Sequence, residues 1–128
     1  MKKEVKNWLD SAQYDLKTSE HMFNTGMYIY TVFMCHLALE KMLKAKIEEI
    51  TGKTPPKVHD LEYLIELSKL SPDEDIEKFI VEITNLSVVT RYPKDFQQMF
   101  KNFSKERVEL FLIKTKEVFH WIKKSLTL

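Results

Sequence analysis

The sequence predicts an all-α protein, a bundle of four to five helices forming one domain over residues 1–128. Two observations carry that reading. The chain has 2 glycines in 128 residues, with strong helix formers throughout. Its apolar residues recur at three-to-four spacing, and no useful length alternates apolar and polar residues as a half-buried strand does. With 44% hydrophobic and 30% charged residues, a chain of this length buries a core without disulfides or structural metal.

The first helix is expected from about Lys3 to Phe23. Val5, Trp8, Leu9, Ala12, Leu16 and Phe23 share one face, and Asn24-Thr25-Gly26 ends it. The second runs from about Met27 to Ile50 and is apolar nearly all round in its first half, so other helices or a second subunit must cover it. Gly52 and the Pro55-Pro56 pair stop it. A short third helix spans about Asp60 to Leu70. The fourth starts at Ser71-Pro72-Asp73-Glu74, which places a capping serine, a first-turn proline and a reciprocal glutamate, and it ends near Val89. Lys94 to Phe103 reads as a connection whose Phe96, Met99, Phe100 and Phe103 cover part of the second helix. Ser104 caps a last helix burying Val108, Phe111, Leu112, Thr115, Val118, Phe119 and Ile122.

Composition excludes several function classes. A net charge of +1 gives no global pull toward nucleic acid or an anionic membrane. The single cysteine, Cys35, sits in an apolar stretch and reads as a buried structural thiol. The apolar window Met27 to Leu39 is too short to span a bilayer and contains His36. No signal-peptide core follows the N-terminus, so a cytoplasmic location without membrane association is expected. Walker A, dinucleotide-binding, zinc-protease and nucleophile-elbow patterns are all missing. No catalytic residues and no metal ligands are assigned, and no cofactor beyond a nucleotide ligand of unassigned identity is expected.

Three places hold polar residues where chemistry could reside. His36, Glu40 and Lys44 are spaced i, i+4, i+8 and form a polar stripe on the most apolar helix. Either Glu40 and Lys44 pair at the solvent edge, or the stripe faces a polar pocket. His59-Asp60 opens the third helix, with Asp60 as its cap and His59 able to bridge to the second helix. Thr90-Arg91-Tyr92-Pro93 closes the fourth helix, with Pro93 restricting the residue before it. Arg91 is suited either to a structural ion pair with Glu40 or to phosphate recognition, with Tyr92 as a stacking face.

These segments resemble the HEPN family over roughly Val5 to Lys123. His36-Leu37-Ala38-Leu39-Glu40-Lys41-Met42-Leu43-Lys44-Ala45 is similar to the family's H-x-A-x-E-K-x-x-K-A helix. Val58-His59-Asp60-Leu61 is similar to its T-H-D-L segment, with valine for threonine, and Thr90-Arg91-Tyr92-Pro93 to its A-R-Y-P segment. The resemblance implies an up-down bundle that dimerises. It also implies two functions: a nucleotide-binding or regulatory partner of a small nucleotidyltransferase in a toxin–antitoxin-like system, or a metal-independent ribonuclease acting on RNA. The ribonuclease branches carry R-x(4–6)-H. Residues 92–99 after Arg91 and 108–115 after Arg107 contain no histidine, so the expected proton-transfer group is missing and that activity is disfavoured. A third reading makes the motifs purely structural, holding the fold or the homodimer.

Overall fold

The computed structural model describes residues 1–92 and 94–127. It contains six helices, one more than the upper expected count: α1 (Lys3–Asn24), α2 (Tyr28–Thr51), α3 (Leu61–Ser68), α4 (Glu74–Arg91), α5 (Phe96–Asn102) and α6 (Lys105–Ser125). No strand occurs among the described residues. The extra helix is α5, which lies in the segment expected to be a connection. Asp95 caps it, accepting from the Gln98 backbone N–H. Met99 and Phe103 bury against Ile29, Val32 and Val108, which gives this short helix a core of its own.

Helix α2 is the axis of the molecule and packs against all five others. Its Val32, Cys35, Ala38, Leu39, Met42, Leu43 and Ala45 are fully buried. That surround explains why its sequence lacks the one-sided apolar stripe of a surface helix. Gly52 ends α2 in the left-handed conformation that L side chains disfavour (φ 70°). Burial raises the Cys35 thiol to about 11, with smaller opposing effects from the Thr115 and Ser19 hydroxyls and the Lys116 charge, as expected of an inert core cysteine.

Two boundaries differ from the sequence expectation. The cap of α4 is Asp73, whose side chain accepts from the Ile76 N–H. Ser71 and Pro72 lie before the helix. Aspartate and serine cap comparably well, so the nearer geometry decides. Helix α4 also continues past Val89 to Arg91, placing a cation in its last turn, where it offsets the negative end of the helix dipole. Pro93, expected to restrict the chain after Arg91, lies outside the described residues.

No described helix is long and apolar enough to cross a membrane.

Candidate functional site

The site is built on one face of α2. Phe33, His36, Glu40 and Lys44 recur at three- and four-residue steps and line up along the helix. The loop before α3 supplies His59, and the end of α4 supplies Arg91.

Glu40 is the hub. Its carboxylate is buried, accepts from Lys44 Nζ at 3.2 Å on one oxygen, and accepts from His59 Nδ1 at 2.9 Å on the other. The Glu40–Lys44 pair therefore exists, but inside the protein and not at the solvent edge: side-chain exposures are 6% and 8%. Two buried opposite charges sustain one another, and either alone would carry a large desolvation cost. The Lys44 ammonium also lies 5.7 Å from the Trp8 ring centroid.

His36 lies beneath the hub and is 1% exposed. Its Nδ1 is 3.9 Å from Glu40, beyond hydrogen-bond reach, and neither ring nitrogen has a hydrogen-bond partner among the described residues. Burial drives its pKa down to about 4. The Glu40 charge opposes that shift, as does the nearby His59 backbone, while the Arg91 and His59 charges add to it. His36 is thus a neutral imidazole at physiological pH.

Arg91 stacks over the Phe33 ring with its guanidinium carbon 5.1 Å from the centroid. The Arg91–Glu40 ion pair that the sequence permits is not formed, since no carboxylate among the described residues lies within 4.0 Å of Arg91. The reason is geometric: Phe33 lies two turns N-terminal to Glu40, and Lys44 and His59 already occupy the Glu40 carboxylate. The Arg91 Nε is buried and lacks a partner.

The remaining predicted residues divide. His59 is the most accessible member, with 60% side-chain exposure. Its Nδ1 is engaged by Glu40 at 2.9 Å, which fixes the orientation of the ring. Asp60 points away and caps α3, accepting from the Glu62 and Tyr63 backbone N–H groups. Tyr92 is 76% exposed and lines a different depression, between the end of α4 and α5.

Glu48 extends the stripe of His36, Glu40 and Lys44 by a further four residues, but the sequence reading missed the contacts that it and Lys41 make with α1. Lys41 pairs with buried Asp15 at 2.8 Å and donates to Ser11 at 2.8 Å. The Trp8 indole N–H donates to Glu48 at 3.0 Å. The available signal was Asp15 itself, a charged residue in phase with Trp8 and Ala12 on the apolar face of α1.

A HEPN domain model matches residues 5–126. The chain belongs to the HEPN family. Two solved structures are similar to this one in fold. The crystal structure of TT1696 from Thermus thermophilus is similar with TM-score 0.79 and 19% identity, covering 98% of this chain and all of that one. The crystal structure of ST0689, an archaeal HEPN homologue, is similar with TM-score 0.77 and 18% identity, covering 99% of this chain and all of that one. At such identities the likeness concerns the fold. No protein of curated description matches the sequence.

Proposed function

We propose that this HEPN protein is a nucleotide-binding or regulatory module that works with a small nucleotidyltransferase in a toxin–antitoxin-like system. HEPN domains are commonly paired with nucleotidyltransferases. One observation carries the nucleotide part of the reading. Arg91 is held in place by Phe33 yet has no carboxylate partner among the described residues. A positioned guanidinium without a counter-charge favours a phosphate group. His59 is a second accessible polar group on the same face of α2, oriented by Glu40. Lys44 supports Glu40 from behind and does not reach a ligand, because it is buried. Tyr92, one residue after Arg91, is exposed but lines a separate depression, so it reaches a base only if the ligand extends from Arg91 toward α5.

Calorimetric titration with ATP, GTP and their monophosphates tests this reading. Binding is expected in the wild type and lost in Arg91→Ala. Absence of heat at millimolar ligand would end the small-nucleotide version. The ribonuclease reading remains the alternative, with His59 the exposed histidine of the site. A metal-free RNA cleavage assay comparing wild type with His59→Ala decides it, and equal background cleavage in both removes it.

We also infer a homodimer formed through the end of the bundle where α2 begins. Met27, Tyr30, Phe96 and Phe100 are each more than half exposed there, forming a contiguous apolar surface beside Phe103. Sedimentation showing monomer alone at micromolar concentration would refute it.

A further inference from the structure

A large groove lies away from the Glu40 site. It lies between α3 and α4 and encloses about 1170 Å³. This exceeds the roughly 300–1,000 Å³ typical of small-molecule pockets. Its floor is apolar, made by Ile65 and Ile80, and Tyr63 and Val81 stand at its edges 44% and 41% exposed. Large apolar side chains half open to water on both walls of one groove suit a contact surface better than a solvated face.

The rim is predominantly acidic. Glu62 and Glu66 flank the groove from α3, and Glu74 and Glu77 flank it from α4. The one cation on the rim, Lys78, is 3.1 Å from Glu74 and neutralises it. Glu62, Glu66 and Glu77 have no side-chain ion pair or hydrogen bond among the described residues. Some exposed carboxylates elsewhere pair with lysines, as Asp10 does with Lys6 and Glu20 with Lys116. Others, such as Glu82 and Glu109, do not among the described residues. What sets the groove apart is that its unpaired carboxylates flank an apolar floor from both helices.

We propose that this groove docks a lysine- or arginine-rich amphipathic helix from a partner protein. An apolar floor between two helices accepts the apolar stripe of a third, and the unpaired carboxylates on both rims meet basic residues flanking that stripe. The same negative rim repels an anionic membrane surface or a nucleic acid strand. The site is separate from the nucleotide site: His59 and Arg91 do not line it, so either proposal can fail without the other.

The test is an amide chemical-shift titration of the full chain with an amphipathic helical peptide of Leu and Lys, alongside its Leu and Glu counterpart. The Lys peptide is expected to shift amides around Tyr63 and Val81. Its affinity should fall about tenfold or more in the Glu66→Lys/Glu77→Lys double variant and weaken with added salt. Both positions are exposed, so the double variant should melt as the wild type does. Arg91→Ala should bind the peptide unchanged. Shifts centred elsewhere, equal affinity in the double variant, or equal binding of the Glu peptide would each overturn the proposal. So would self-association of the free protein that the double variant abolishes, which would assign the groove to a second copy.

Discussion

The two polar edges of α2 are built in different ways. On the α1 side Lys41 meets Asp15 and Ser11, and Glu48 receives the Trp8 indole N–H. On the α3–α4 side Glu40 is saturated, but the groups around it are not: His36 has no partner for either ring nitrogen, Arg91 has none for Nε, and His59 is open to water. A buried polar group left unpaired weakens the fold by roughly 1–3 kcal/mol. An edge that tolerates two such residues is better explained by a role beyond holding helices together. On the α1 edge the buried Asp15 Oδ2 accepts no well-aligned hydrogen bond, but it still has the Lys41 ammonium 2.8 Å away. Lys44 touches both edges, through Glu40 and through the Trp8 ring, so the structural edge braces the other one.

The largest expected effect tests the hub. Glu40→Ala strands the Lys44 charge inside the protein and should lower the unfolding free energy by about 3–5 kcal/mol. Arg91→Ala removes only its stacking on Phe33 and should lower it by about 1 kcal/mol or less. Denaturant unfolding of both variants checks the contrast, and equal losses would erase the distinction between hub and open residue.

Acid comes next. The His36 pKa is about 4 in the folded protein, below the ordinary 6.5, so the unfolded chain takes up the proton first as pH falls. Its contribution is fully present above pH 6.5 and drains away toward about pH 4, by roughly 3 kcal/mol. His36→Leu should remove that part of the pH dependence. At neutral pH it should leave stability unchanged or raised, because an unpartnered polar group is replaced by an apolar one. A marked loss at pH 7 would mean that His36 has a structural duty.

On the α1 edge, Asp15→Asn should cost about 1 kcal/mol, because the Lys41 side chain is 23% exposed and can return to water. Nucleotide binding should not change. A loss of binding in Asp15→Asn would show that the edges are not separable. The smallest effect concerns Cys35, whose thiol burial pushes up to about 11. A thiol reagent at pH 8 should label it only as fast as the protein opens, and prompt labelling would mean that the centre of α2 is less closed than the rest of the comparison requires.

The legibility of each part follows from where its information resides. The stripe His36, Glu40, Lys44 was readable because helical periodicity alone puts those side chains on one face. The Asp60 cap was readable because it involves atoms two and three residues away. Helix α5 was not, because seven residues carry little periodic signal and its stability comes from Met99 and Phe103 packing on α2 and α6. The partners of Glu40 were not readable either. His59 and Arg91 were both candidates, and the choice between them depends on a few ångströms of helix placement.

By itself, then, the sequence determined the helical class, the central position of α2 and the set of residues that could form a site, since these rest on composition, period and local hydrogen bonding. The tertiary structure decided which of those residues meet. It buried His36 and Lys44, turned Asp60 and Tyr92 outward, and left Arg91 stacked but uncompensated, because burial and charge pairing are set by how helices distant in sequence pack, which no local pattern encodes.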